Sequence, residues 1–292
     1  MTIKYLVIGG GGGGGYSIYG AMKYLCKENF WNINDIKIIY ATSIGALISV
    51  FISLKYDWES LDDYLIKRPW DKVISLKPMN VLNILSKKGM FDIDLIKDVL
   101  NPLLTAKELS ESITLKEFYE YNNIEIHMYT VNINESLPTK VDLSYKTHPD
   151  LELYKAVAMS SAFPIIFSPI YDGSGCYIDG GVLNNFPLND TINNCINENN
   201  NSDEILAFKV SSKHKIPNII NNSTLINYIY SLMDGLRKLV STENYQREIK
   251  NIVECKLDSN YFYDWKEAVV SETTRTNMIN IGMKYGEEFM NK

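Results

Sequence analysis

Seven consecutive glycines, Gly9 to Gly15, stand between an apolar run and a helix-patterned one in KYLVIGGGGGGGYSIYGAMKYL, residues 4–25. Their flanks constrain the fold. Residues 3–8 (IKYLVI) are short, rich in β-branched side chains and stopped by glycine, which predicts a buried strand. From 16 to 28 the apolar residues Ile18, Ala21, Met22 and Leu25 recur at helical spacing, which predicts a helix. The pattern then repeats: Asp35 opens a strand at 36–41 (IKIIYA), and 44–54 reads as a buried helix. Two strand–turn–helix units in succession predict a parallel sheet with helices packed on it. Glycines between a buried strand and its helix are not a slack linker, because linkers join domains rather than neighbouring core elements.

The remaining chain extends the alternation. Amphipathic helices are expected at 57–68 and 92–104, a strand at 124–132 and a helix at 151–158. Residues 165–170 and 176–178 read as extended runs around the turn 171–175, where Asp172-Gly173 is a hairpin signal. A strand is expected at 206–210, a surface loop in the asparagine-rich stretch 197–202, and helices at 223–240 and 273–290, so the part beyond 210 reads as mostly helical. No period of 20–50 residues recurs and no internal linker stands out. The expectation is a single domain over 1–292, an α/β fold with a predominantly parallel central sheet between helices in three layers.

Composition narrows the function classes. The chain has 292 residues, 46% of them apolar, and a net charge of -6. An acidic balance argues against a general nucleic-acid binder, which needs a basic footprint. Cys26, Cys176, Cys195 and Cys255 make no CxxC pair, and no Cys/His cluster has zinc spacing, so neither a metal nor a cofactor is expected. The N-terminal apolar stretch is too short for a signal peptide, and the longest uncharged apolar run, 43–54, is well short of a membrane span. With scattered thiols, this reads as a cytoplasmic protein.

The second turn, IIYATSIGALISV, puts Ser43 between strand and helix with Gly45 two residues on. This is the G-x-S-x-G nucleophile elbow with Ala41 in the first glycine slot. Such an elbow exposes the hydroxyl at a helix N-terminus, where unpaired N–H groups favour developing negative charge. An ordinary serine helix cap is the competing reading. A catalytic serine needs a base. An α/β-hydrolase would place an acid and then a histidine after the serine. Of the three histidines, His127 lies inside a strand pattern, His148 sits in a loop before a proline, and His214 lies in a charged surface stretch. The other candidate is Asp179 in GCYIDGGVLNNFPL, at the end of a short apolar strand and followed by Gly180 and Gly181. A carboxylate with an ordinary pKa of about 3.9 is a poor base for a serine. It can serve if burial raises its pKa and the transition state is stabilised elsewhere.

That stabilisation is what the glycines can offer. A dinucleotide-binding fold needs a carboxylate at the end of the next strand, where Ala41-Thr42-Ser43 stand instead. A P-loop needs Gly-Lys-Ser/Thr closing the turn, and Gly15 is followed by Tyr16-Ser17. The remaining option is a loop whose backbone N–H groups converge on an oxyanion. Two adjacent strand–turn–helix units would bring Gly10 to Gly13 beside Ser43 at the carboxyl edge of the sheet, where open α/β sheets place their sites.

These blocks together resemble the patatin-like phospholipases, whose motifs run G-G-G-x-R/K-G, G-x-S-x-G and D-G-G/A in this order. Here they stand at Gly10 to Gly15, Ala41 to Gly45 and Asp179 to Gly181. KGMFDIDLIKDVL (88–100) and AVAMSSAFPIIFSPI (156–170) are also similar to stretches of that family, and the likeness covers about residues 4–210. The resemblance implies a patatin-like fold and acyl-ester hydrolysis by a Ser–Asp dyad on phospholipids or lysophospholipids, without a catalytic metal. It implies Ser43 as nucleophile, Asp179 as general base, and the loop around Gly11, Gly12 and Gly13 as oxyanion hole, with Gly10, Gly15, Gly45, Gly180 and Gly181 as supports. Two departures are Ala41 and, in place of the loop's basic residue, Gly14. A non-lipid esterase or thioesterase, and a lipid-binding module that keeps the fold, are the alternatives. Residues 67–88 carry six lysines and arginines against Asp71, interleaved with Trp70 and aliphatic residues. Such a segment can be an amphipathic helix with a solvated face or a transient contact with an anionic membrane.

Overall fold

In a computed structural model, the structure describes residues 2–74, 84–197, 201–212, 218–243, 247, 249–257 and 261–292. The two units read from the sequence form as expected. β1 (Tyr5–Ile8) leads through a 3-10 turn at Gly12–Gly14 into α1 (Gly15–Lys27), and β2 (Ile38–Thr42) leads directly into α2 (Ile44–Ser53). β1 and β2 are parallel neighbours, with Ile8 opposite Ala41, so both turns leave the same edge of the sheet.

Next come α3 (Trp58–Asp62), with a π-helical continuation at Asp63–Lys67, and α4 (Trp70–Val73). After β3 (Gly89–Phe91) follow α5 (Ile93–Thr105) and α6 (Leu115–Asn122), the latter opened by a capping box between Thr114 and Glu117. β4 (Glu125–Asn132) and β5 (Thr139–Leu143) lead to α7 (Leu153–Ser161). Then come β6 (Ile165–Phe167), β7 (Ile170–Asp172), β8 (Gly175–Asp179), α8 (Gly181–Asn184) and α9 (Leu188–Asn197). The chain finishes with β9 (Ile205–Ser212), α10 (Leu225–Glu243), β10 (Ile252–Leu257), α11 (Tyr261–Val270) and α12 (Glu272–Met290).

The central sheet has the order β10-β9-β1-β2-β4-β8-β7, with β5 paired to β4. The five strands from β10 to β4 are mutually parallel, while β5, β7 and β8 pair antiparallel. The sheet is therefore mixed and mostly parallel. Alternation along the strands feeds two cores. Leu6, Ile8, Ile39 and Met128 pack into one with α1, α2 and α7, while Tyr5, Val7, Ile38 and Tyr40 face Leu188, Ile192 and Cys195 of α9 on the other side. Helices on both faces give the three layers.

The structure adds to and departs from the sequence reading. The run 165–170 is split: β6 pairs in parallel with β3 in a separate two-stranded sheet, and only β7 joins the main one. The β7–β8 hairpin runs up to Asp172 and Gly175, so its turn is only Gly173-Ser174, with Gly173 at φ 55°. The part beyond 210 also contributes a strand, β10, which extends the parallel sheet beside β9.

That C-terminal part is seated on the first helix. Ser17 Oγ donates to Met278 O at 3.1 Å. A Cβ at Gly20 would lie 2.1 Å from Ile279 O, and one at Gly282 would lie 2.0 Å from Ser17 O, so α1 and α12 cross backbone to backbone. Among the described residues no helix is long and apolar enough to cross a membrane.

Candidate active site

β2 ends at Thr42 and α2 begins at Ile44, so Ser43 alone turns the chain. It does so at φ 57° and ψ -126°, a conformation that a non-glycine residue holds only when its surroundings impose it. Ser43 N donates to Ser160 Oγ at 3.0 Å, Ser160 Oγ donates to Tyr129 O at 2.7 Å, and Ala46 N donates to Ser43 O at 2.8 Å. Gly45 is demanded by close approach, because a Cβ there would lie 2.2 Å from Ile8 O. The buried Ala41 fits the first slot of the elbow.

The turn aims the hydroxyl at a carboxylate. Ser43 Oγ donates to Asp179 Oδ2 at 2.6 Å. Asp179 ends β8 opposite Thr130 of β4, and β4 in turn pairs with β2, so one intervening strand brings the two together. Gly181 N–H donates to Asp179 Oδ1 at 2.7 Å and fixes the other oxygen. The side chain is buried, and burial pushes its pKa up to about 6, against the opposing pull of the Ser43 hydroxyl, the Gly181 amide and the charge of Arg237. A carboxyl so placed titrates close to neutrality, where a general base works best.

The glycine loop closes the arrangement. Gly9 N donates to Phe208 O at 2.9 Å, Gly10 N to Asn185 O at 2.9 Å and Gly14 N to Gly11 O at 2.9 Å, while Asn185 Nδ2 donates to Gly10 O at 3.3 Å. A Cβ on Gly10 would lie 3.2 Å from Ser43 Cβ, so the loop stands directly against the elbow. Gly11 and Gly12 line a cavity together with Ser43 and Asp179, whereas Gly13 is buried one residue further along in the 3-10 turn. Gly15 sits where a Cβ would come within 2.4 Å of Ile44 Cγ1, locking the first helix start against the second. At Gly14, where the resemblance calls for a basic residue, a Cβ would lie 2.9 Å from both Leu257 Cδ1 and Val210 Cγ1. Side chains of β9 and β10 wall the loop on that side.

The cavity has a volume of about 220 Å³. Its walls are mostly apolar, with Leu47, Leu95, Val99, Phe163, Ile166 and Phe167 among them. Arg237 of α10 is its basic residue among the described ones, and it is paired with Asp234 of the same helix. The α2 amino terminus opens onto the same space through Ile44.

No described histidine bonds to Ser43. His127 lies between Asp142 Oδ2 at 2.7 Å and Glu125 Oε1 at 2.8 Å and stacks on Tyr40. His148 is bonded to Thr147 Oγ1 at 2.9 Å, and His214 lies outside the described residues. Of the basic stretch 67–88, residues 75–83 lie outside the described residues. In the flanks Lys67 pairs with Asp63, Lys87 pairs with Asp92, Arg68 lies over the Tyr64 and Trp70 rings, and Trp70 is buried in the core. Leu85 is 87% exposed.

Sequence reasoning missed Ser160, Asn185 and Arg237. Ser160 and Asn185 stand inside quoted stretches, but only the fold shows them holding the Ser43 and Gly10 backbones. Arg237 lies beyond the last recognisable block.

A family model described as "Patatin-like phospholipase" matches residues 6–192. The "Probable lipid hydrolase 463L" of Invertebrate iridescent virus 6 is 32% identical over 186 residues, covering 63% of this chain and 62% of that protein. The chain therefore spans less than two thirds of that relative. An uncharacterised protein of Acanthamoeba polyphaga mimivirus is 26% identical over 238 residues, covering 79% of this chain and 74% of its own length. The crystal structure of VipD from Legionella pneumophila superposes with a TM-score of 0.55 at 16% identity, covering all of this chain and 67% of that one, which is a likeness of fold. With the family model matched over more than half of its length, the chain belongs to the patatin-like phospholipase family.

Proposed function

We propose that the protein hydrolyses carboxylic ester bonds of lipids, in the manner of a phospholipase A or lysophospholipase, with Ser43 as nucleophile and Asp179 as general base. The observation that carries this reading is the 2.6 Å hydrogen bond from Ser43 Oγ to a buried carboxylate beside a mostly apolar cavity. An acyl chain has apolar walls to lie against. Family membership and the name of the viral relative support the lipid substrate class.

The steps follow from the geometry. Ser43 Oγ attacks the ester carbonyl while its proton passes to Asp179 Oδ2. The negative charge moves to the former carbonyl oxygen, which the N–H groups of the Gly11–Gly13 loop receive, each such donor being worth about 3 kcal/mol of transition-state stabilisation. The tetrahedral intermediate expels the alcohol, which takes the proton from Asp179 and leaves an acyl group on Ser43. Water then gives a proton to Asp179, attacks the acyl carbon and releases the fatty acid as Ser43 recovers its proton. The Gly181 amide holds the carboxylate in one orientation throughout.

Hydrolysis of a p-nitrophenyl acyl ester tests the dyad. Ser43→Ala and Asp179→Asn are each expected to lower kcat/KM by about a thousandfold or more while remaining folded. An active-site phosphonate should label Ser43 and fail to label Ser43→Ala. Wild-type rates in both variants would remove the reading. A panel of lysophospholipids, phospholipids and short soluble esters distinguishes a lipid hydrolase from a non-lipid esterase.

A further inference from the structure

The donors of the glycine loop have no side chains with which to hold themselves in place. Gly11 and Gly12 line the cavity, Gly12 stands at φ 51°, and a run of glycines has more backbone freedom than other sequences. Stabilising an oxyanion nevertheless requires N–H groups that are aimed before the charge develops. Hydrogen bonds fix the approach and the close of the turn. Gly9 N donates to Phe208 O and Gly10 N to Asn185 O, and Gly14 N returns to Gly11 O. Stiffness between those points has to come from packing.

One side chain stands where that packing is needed. β9 runs past the end of β1: Ile8 lies opposite Phe208, and Val210 follows two residues on, on the same face. A Cβ at Gly11 would lie 3.0 Å from both Val210 Cβ and Val210 Cγ2, and one at Gly14 would lie 2.9 Å from Val210 Cγ1 and 3.1 Å from Val210 Cγ2. The isopropyl group is therefore in contact with both residues joined by the Gly14–Gly11 hydrogen bond, at the two ends of the 3-10 turn. Valine suits the task, because branching at Cβ leaves it one stiff side-chain torsion. It is also anchored: Val210 is buried in the core, and its strand pairs with β10 on the far side, where Cys255 stands opposite. Among the described residues that line the cavity, Gly11 and Gly12 are present and Val210 is not, so it reaches a substrate only through the loop.

We infer that Val210 is a positioning residue for ester hydrolysis: its side chain, packed on Gly11 and Gly14, holds the N–H groups of the Gly11–Gly13 turn on the developing oxyanion. The inference rests on the Ser43 hydrolase reading. Val210 lies outside the residues 6–192 matched by the family model.

The experiment compares Val210→Ala, which removes both methyl groups, with Val210→Thr, which keeps the branched shape and buries a hydroxyl. Both substitutions cost stability, and only the first loses the shape. On a soluble p-nitrophenyl ester, Val210→Ala should lower kcat about tenfold or more with KM within about twofold, while Val210→Thr should keep kcat within about twofold. An alkyl trifluoromethyl ketone reads the oxyanion directly. Ser43 Oγ adds to its carbonyl carbon, the Ser43 proton passes to Asp179, and the negative charge rests on the former carbonyl oxygen. Val210→Ala should weaken ketone binding by the same factor as kcat and leave the affinity for the matching alkyl alcohol unchanged. Gly14→Ala, which pushes a methyl onto Val210 and Leu257, should also lower kcat. Combined with Val210→Ala it should lose less than the product of the two single effects, because both act on one contact. Wild-type kcat in Val210→Ala, or equal losses in the alanine and threonine variants, overturns the inference. Should Val210→Ala fail to fold, Gly14→Ala decides: a lower kcat at unchanged KM supports the inference, and wild-type kcat and ketone affinity overturn it. Loss of the hydrolase reading is seen separately, in soluble-ester turnover that persists in Ser43→Ala, and that result overturns both.

Discussion

At the residue scale, Asp179 couples chemistry to stability. Its folded pKa of about 6 lies above the ordinary value of 3.8, so the native state holds its proton more tightly than the unfolded chain. Hydrolysis that needs the carboxylate should therefore rise with pH through about 6 and then level off, as a pH profile of kcat/KM on a soluble ester would record. Removing the positive charge in Arg237→Gln should move that limb to higher pH. The same shift contributes stability that is complete below pH 3.8 and is lost as pH rises through 6, amounting to roughly 3 kcal/mol. Asp179→Asn should thus melt at a higher temperature than the wild type at pH 8, with the difference closing near pH 4. His127 has the opposite sign of charge. Burial works against its imidazolium, but hydrogen bonds and charge from Asp142 and Glu125 outweigh it and raise the pKa to about 9. Its contribution is fully present below pH 6.5 and is lost as pH rises through about 9. Thermal melts of His127→Gln should show a deficit at pH 6 that narrows towards pH 10.

At the scale of elements, the crossing of α1 and α12 is the most exacting contact. Gly282→Ala would push a methyl against Ser17 O, and neither backbone can yield without moving a helix. A loss of about 1–3 kcal/mol is expected, read as a lower urea midpoint. The elements legible in the sequence were those with a strong local period or a chemical stop. α1, α2 and β4 carry such signals, and Ser43 and Asp179 stand at strand ends beside small residues. β5 was not legible, because TKVDL is a half-exposed strand with charges in its alternation. β10 was missed although IVECKL alternates Val253, Cys255 and Leu257 with Glu254 and Lys256, a six-residue strand signal standing between longer helical patterns. The value of Gly14 was hidden because tertiary contact supplies it: Leu257 and Val210 crowd it only after β9 and β10 have met.

At the scale of the whole molecule, the site is assembled from segments that lie far apart along the chain. The glycine loop, elbow and carboxylate lie on β1, β2 and β8, and the cavity wall is completed by α10. Both cores touch the same sheet, and the C-terminal helix packs on the first one. We propose that the chain unfolds as one cooperative unit. Tryptophan fluorescence, to which Trp31, Trp58, Trp70 and Trp265 all contribute, should then trace the same urea transition as far-ultraviolet circular dichroism. Two separated transitions would instead mark the part after 210 as a unit of its own.

The position of β1 in the sheet sets an order on biosynthesis. Although it precedes the other strands of this sheet along the chain, it takes a middle place, with β2 on one side and β9, which begins at Ile205, on the other. The serine hydroxyl is translated long before the carboxylate that receives its hydrogen bond, and both emerge ahead of the strand that covers the second flank of β1. A nascent chain therefore holds a nucleophile without its partner until β8 has been made, and an unpaired edge on β1 until β9 has followed.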